Sequence, residues 1–260
     1  MTENSTEFIL LGSGNASGVP AIGNDWGACD PNEPRNRRTR AAGVIKTRQS
    51  NILIDFGMDI SHQLTRENIS QIDAILLTHE HGDHVNGIDD LRTLAFRNKS
   101  PIPIYSLAEA NEKLEERFPY AFGHLNKHLY QAFIETRELE MKKQTLRGVN
   151  FIPFLQDHGT CNTLGFRFGK MAYSTDMRTI DKDNLALLKG VETWIVDGAA
   201  YWNEHNPVHA NFQTVFKMNE TVGARKVYFT HLPRSMDYQT LREELPDGYE
   251  PAYDGLKIQL

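Results

Sequence analysis

Four potential metal ligands fall within six residues in Thr78-His-Glu-His-Gly-Asp-His84, directly after the apolar run Ile72 to Leu77. A chain with 10 histidines in 260 residues has little reason to crowd three of them there unless they share a ligand. An extended segment points alternate side chains the same way, so His79 and His81 can grip one ion. Asp83 and His84, turned away where a helix starts, are free to hold a second. Two-metal hydrolysis needs two cations roughly 3.5–4 Å apart, held by nitrogen and carboxylate ligands. The motif therefore demands a strand that stops at a loop and a fold that returns further ligands to the same edge.

The rest of the chain supplies such returns. Phe8 to Leu11 reads as a buried strand, and Gly12 to Arg40 shows no helical or strand period, which marks a functional loop. Gly43–Thr47 and Asn51–Phe56 read as a pair of strands, Met58–Asn68 as a helix, and Ile88, Leu91, Leu94 and Ala95 recur at helical spacing. Ile102–Tyr105, Val149–Leu155, Thr163–Phe168, Lys170–Tyr173, Thr193–Val196 and Lys226–Phe229 read as strands, with helices over Leu107–Phe118 and His209–Val222. Residues 119–148 read as an inserted hairpin or cap within one domain spanning 1–260. Just past the strand ends stand His158, Asp176 and His231, where a rigid sheet can present reactive groups.

These residues resemble the metallo-β-lactamase superfamily, whose H-x-H-x-D-H signature matches Thr78 to His84 and whose later ligands follow in the order His158, Asp176, His231. The resemblance implies an α/β fold, an αββα sandwich of two mixed sheets flanked by helices. It also implies that His79, His81 and His158 hold one metal and Asp83, His84 and His231 the other. Asp176 would bridge them, with a hydroxide between the ions as the nucleophile. Two divalent ions per chain are expected, Zn²⁺ or Mn²⁺, with Fe²⁺ suited to the same donors.

Within that superfamily, transfer-RNA 3′-processing nucleases follow the motif with Gly-Leu-Pro-Gly, whereas this chain has Gly87-Ile-Asp-Asp-Leu-Arg92. That variant and Gly12-Ser-Gly-Asn-Ala-Ser-Gly-Val-Pro20 resemble the phosphoribosyl cyclic phosphate phosphodiesterases. The resemblance implies a phosphodiesterase acting on a small cyclic or nucleotide-like phosphodiester. A thioesterase or lactone-type acyl hydrolase, or an RNA-processing nuclease, are the alternatives on the same metals. Those relatives carry a cysteine-rich structural zinc site; here the run is Asn24-Asp-Trp-Gly-Ala-Cys29, with one cysteine, and Arg234 stands at the later position. A lone cysteine cannot hold a structural zinc.

Asp83 and His209 are the candidate catalytic residues, Asp83 also being a ligand. By resemblance His209 sits beside the phosphate, and an expelled alkoxide needs a proton that histidine can donate near neutral pH. His205 is its rival, and capping of the following helix is the structural alternative for His209. Asp55 and Asp197, just past apolar strands, are candidate acceptors that orient metal-bound histidines. Arg35, Arg37, Arg38 and Arg40 read as a solvated basic turn paired with Glu33 or nearby acids, Cys161 as a small buried thiol, and His124 and His128 as surface histidines. Asp89, Asp90 and Arg92 read as a local ion-pair network, and Arg178 as a weak candidate for phosphate contact.

Composition narrows the partners. Two cysteines are too few for a disulfide framework, which fits a reducing compartment, and an acidic N-terminus without a long apolar run argues for the cytoplasm. A net charge of −6 argues against a nucleic-acid coat. The expected partners are a small phosphodiester substrate, no membrane and no nucleic acid, with a homodimer left open.

Overall fold

A computed structural model describes residues 6–125, 131–202 and 204–260. The first half builds a mixed sheet from β1 (Glu7–Gly12), β2 (Ala42–Lys46), β3 (Asn51–Ile54), β4 (Ala74–Leu76), β5 (Ile102–Ser106) and β6 (Ile134–Glu138). The second half builds another from β7 (Gln144–Leu146), β8 (Val149–Asp157), β9 (Asn162–Phe168), β10 (Met171–Ser174), β11 (Thr193–Asp197), β12 (Lys226–Thr230) and β13 (Tyr249–Pro251). The last strand, β14 (Leu256–Gln259), crosses back to pair with β1, so the sheet orders are β14-β1-β2-β3-β4-β5-β6 and β13-β12-β11-β10-β9-β8-β7.

Alternation along the strands explains why the sheets stack. In β1, Phe8 and Leu10 enter the core between the sheets, while Ile9 and Leu11 face the helices. In β11, Ile195 points inward between the sheets and Trp194 and Val196 point outward. Helices α1 (Ile60–Arg66), α2 (Gly82–Val85), α3 (Ile88–Asn98) and α4 (Ala108–Arg117) belong to the first half. Helices α5 (Lys182–Ala186), α6 (Phe212–Val222) and α7 (Tyr238–Glu244) belong to the second. Ile88, Leu91, Leu94 and Ala95 form the buried stripe of α3, as their spacing predicts. The result is the expected α/β sandwich, helices outside and sheets face to face. Among the described residues no helix is long and apolar enough to cross a membrane.

Within 119–148 the strands β6 and β7 finish the edges of two different sheets, while 126–130, part of the expected cap, lie outside the described residues. Helix α6 begins at Phe212 rather than His209, because the Asn211 side chain accepts the Thr214 N–H at 2.9 Å and caps it. His209 is thereby left in the loop before the helix.

Candidate metal centre

The centre sits where β3, β4, β8, β10, β11 and β12 end, at one edge of the sandwich. There the Leu164 N–H donates to the Thr78 carbonyl at 3.0 Å and ties the two sheets together. Asp55 leaves β3 with φ at 61°, a left-handed turn that sends its carboxylate under the motif. The carboxylate accepts from Thr78 N and Thr78 Oγ1, each at 2.8 Å. The motif backbone approaches the β3 end so closely that a Cβ on Gly57 would lie 1.9 Å from the Asp83 carbonyl oxygen. Only glycine fits there.

All seven expected ligands converge. His79, His81 and His158 bring one ligand atom each within 4.8 Å of one another, and Asp83, His84, Asp176 and His231 do the same. Asp176 faces both groups: Oδ2 lies 3.1 Å from His84 Nε2, while Oδ1 lies 3.4 Å from His231 Nε2 and 3.8 Å from His158 Nε2. Asp83 Oδ2 stands 3.4 Å from His84 Nε2 and 3.5 Å from His231 Nε2. Asp176 and His231, like Asp55, adopt positive φ, so three strand ends turn sharply to aim these side chains.

Most of the histidines are anchored by one nitrogen and offer the other. His79 Nδ1 lies 3.0 Å from Thr78 Oγ1, His84 Nδ1 2.8 Å from Asp55 Oδ2, and His158 Nδ1 2.8 Å from the Val208 carbonyl. This outer bonding sets tautomer and ring orientation in metal-ligating histidines. The inner Nε2 atoms of His79 and His84 are buried and make no hydrogen bond. Orphaned imidazole nitrogens beside buried carboxylates are the donor set of a divalent cation.

Electrostatics point the same way. Burial works against a charged His84, yet Asp176, Asp55 and Asp83 overcome it and hold its pKa well above the ordinary value. His79 is pushed far down by burial and then by His84. Burial opposes ionisation of Asp176, but His231 and His84 keep it well below the usual carboxylate range. The pocket thus stores negative charge that only positive charge inside it can balance.

Residues 50–232 match the family described as a beta-lactamase superfamily domain. The chain belongs to the metallo-β-lactamase superfamily. It is 31% identical to a diphosphatase from the PhnP family of known structure, with a TM-score of 0.88 and coverage of 98% of this chain and 97% of that one. It is also 31% identical over 254 residues to the octanoyltransferase of Porphyromonas gingivalis, covering 96% of this chain and 50% of that protein. A 113-residue stretch is 33% identical to the ribonuclease Z of Listeria welshimeri, covering 42% of this chain and 33% of the nuclease. The chain therefore spans half the length of the first of these curated relatives and a third of the second.

Beside the superfamily signature, His209 joins the centre. Its ring centroid lies 4.9 Å from that of His231 and 5.0 Å from that of His158. His209 Nδ1 is 2.7 Å from Asp197 Oδ2. Burial lowers its pKa, but the Asp197 charge and hydrogen bond win and push it up to about 9. Asp197 was expected to orient a metal-bound histidine; it orients His209 instead, and also accepts from Met177 N and Ala199 N. Asp55 does hold one of the expected ligands, His84. A further grouping of Asp176, Asp197, His209 and His231 is compact too, but these three bonds already occupy the Asp197 carboxylate.

Other candidates stand elsewhere. His205 and His124 are exposed, and His128 lies outside the described residues. Arg178 pairs with Asp157 at 2.5 Å, and Arg92 with Asp89 at 3.6 Å. Cys161 is half-buried rather than buried. The basic turn is not uniformly solvated. Arg40 pairs with Asp59 at 3.0 Å, while Arg38 is only 1% exposed and donates to the Met236 carbonyl at 2.8 Å and the Pro233 carbonyl at 3.3 Å. Arg38 was missed as a structural residue because composition gives no signal that a guanidinium in a polar loop is buried.

Proposed function

We propose that the protein is a binuclear metal-dependent phosphodiesterase acting on a small cyclic or nucleotide-like phosphodiester. The observation that carries this reading is His209: a histidine held by a buried aspartate and packed against one histidine from each ligand group. His79, His81 and His158 would hold one divalent cation, Asp83, His84 and His231 the other, and Asp176 both, with Zn²⁺ or Mn²⁺, or Fe²⁺, matching the donors. Such cations supply Lewis-acid charge and an activated water at neutral pH.

The chain's own residues do the rest. Asp197 binds His209 Nδ1 and leaves Nε2 as the atom that can carry a proton outward. The Asp197 charge and hydrogen bond favour the protonated ring of His209, which can hand its proton to an alkoxide leaving group. Thr78, Asp55 and the Val208 carbonyl keep the ligand rings from rotating.

A second reading, an acyl hydrolase cleaving thioesters or lactones, draws support from the similarity to an octanoyltransferase. In the thioester case the leaving thiolate, with a parent thiol pKa of about 8.5, departs without a proton and gives His209 little to do, whereas a lactone expels an alkoxide. Assay of the metal-loaded protein against an aryl phosphodiester, a thioester panel and a structured RNA separates the readings. Phosphodiester turnover exceeding both others is the expected result; faster thioester cleavage overturns the proposal.

A further inference from the structure

The irregular loop ahead of β2 presents an exposed guanidinium laid on an indole: Arg37 Cζ lies 5.0 Å from the centroid of the Trp26 ring. Neighbouring cations are occupied otherwise, Arg40 by Asp59 and Arg234 by Asp25. Arg37 is exposed and takes part in no ion pair among the described residues.

The loop that carries the stack is fastened to the segment that follows His231. Asp25 pairs with Arg234 at 2.8 Å, and the Ala28 N–H donates to the Arg234 carbonyl at 2.9 Å, so both flanks of Trp26 are fastened to Arg234. Arg234 follows His231 by three residues, which span at most about 11 Å of chain. Gly27 between them has φ at 56°, and a Cβ there would meet the Arg234 carbonyl oxygen at 2.6 Å, so the loop lies tight against this segment. It is also rigid. Arg38 reaches beneath it to the Met236 and Pro233 carbonyls, and the Cys29 thiol donates to the Arg234 and Met236 carbonyls at 3.3 Å each. A platform ordered beforehand loses little freedom when a ligand lands on it.

We propose that the Trp26–Arg37 stack seats the base of a nucleotide whose phosphodiester lies in the metal centre. This rests on the phosphodiesterase reading and names its substrate class. Guanidinium planes stack on aromatic rings, and base stacking tolerates every base because each has a π face. Polynucleotide strands use successive platforms along a basic groove. Arg35 lies over Tyr238 and Tyr253 at 4.9 and 5.4 Å from their centroids, but a net charge of −6 argues against a basic groove joining the two stacks and fits a small nucleotide.

Two measurements test this. Calorimetry on the metal-loaded protein compares AMP with ribose 5-phosphate, phosphomonoesters that carry adenine and a hydroxyl, respectively, at C1 of the sugar. AMP should bind at least about 10-fold tighter, the order expected for one stacked base. Trp26→Ala and Arg37→Ala should erase that difference without weakening ribose 5-phosphate, and Trp26→Phe should retain most of it. Kinetics on the loaded protein compare thymidine 5′-p-nitrophenyl phosphate with methyl p-nitrophenyl phosphate, which share a leaving group. The variants should raise KM for the first alone and leave kcat on the second unchanged. Equal affinity for AMP and ribose 5-phosphate in the parent protein, or equal losses on both ligands in the variants, overturns the platform. So does a short RNA binding more than 10-fold tighter than AMP. Base discrimination in calorimetry without phosphodiester turnover would retain the platform and overturn the phosphodiesterase reading instead.

Discussion

Asp55 Oδ2 lies 2.8 Å from His84 Nδ1, and both side chains are fully buried. The same carboxylate also holds Thr78, so one residue at the end of β3 orients a ligand and the loop that carries two others. Asp55→Asn should keep the packing yet weaken the ring's orientation. Metal affinity measured by competition with a chelator is expected to fall about 10–100-fold.

Asp176 faces both ligand groups, and no other carboxylate does so through both oxygens among the described residues. Elemental analysis should find two ions per chain in the parent protein. Asp176→Ala should lose metal and activity together, because two cations would face each other without the shared anion. Retention of two tightly bound ions by that variant would remove Asp176 from its bridging role.

His209→Ala should keep both metals while kcat drops at least ~10²-fold on an alkyl phosphodiester and less on an activated aryl one. The sign of its pH dependence follows from its raised pKa of about 9. The donor is competent below its pKa and is lost as pH rises through it. Bound cations oppose the Asp197 charge, so the alkaline limb of kcat should fall between pH ~6.5 and ~9 and vanish in the variant. Equal losses on both leaving groups would assign His209 to binding rather than proton donation.

Arg38 is a buried cation whose Nη atoms donate to carbonyl oxygens and to Asn36 Oδ1 at 3.2 Å, while its buried Nε has no partner among the described residues. Arg38→Met should remove these three bonds at about 1 kcal/mol each, since the acceptors keep second donors in the Cys29 thiol, Met236 N and Tyr238 N. A total loss of roughly 3 kcal/mol lowers Tm by about 6–12 °C in a chain of this size. Lysine should restore little, since a point charge cannot reproduce the fork. Cys29→Ser should leave the metal content unchanged, because the thiol bonds carbonyls rather than an ion.

Asp237 gives the acid side of the stability profile. Burial works against ionisation, but the Thr240 N–H, the Asn36 amide at 2.6 Å and the Asp30 N–H hold its pKa at about 2, below the ordinary 3.8. Its contribution is therefore complete above pH ~4 and lost as pH falls through ~2. Asp237→Asn should lower stability at pH 7 and flatten the denaturation curve between those values, as thermal melts across that range will report.

The convergence at this edge was legible because its signals are local: four candidate ligands in six residues, then single candidates just past apolar strands. His158, Asp176 and His231 needed only the rule that strands end where chemistry begins. Strands such as β6, β13 and β14 were hard to see because each is short and gains its identity from a neighbour far along the chain. Asp254 shows the same limit. It accepts from Ser13 and Thr39 and fastens the loop beside the site, yet Ser13 and Asp254 are 241 positions apart. Nothing periodic marks such a clamp. The helix expected from His209 began at Phe212 because capping by Asn211 outweighed the apolar spacing that suggested an earlier start.

The ligands are divided between two sheets, with Asp83 and His231 separated by 148 positions yet 3.5 Å apart. Neither half of the chain can grip an ion with a full set of donors until the other has docked against it. On the proposed reading, ion capture would therefore read out assembly, and by mass action a bound ion would act as a clasp on the two halves. At a free concentration 1,000 times its Kd, one such clasp adds about 4 kcal/mol to the assembled state. Metal scarcity in a growing cell would then shorten the lifetime of the protein itself, and a newly made chain would become chargeable only after His231 had left the ribosome.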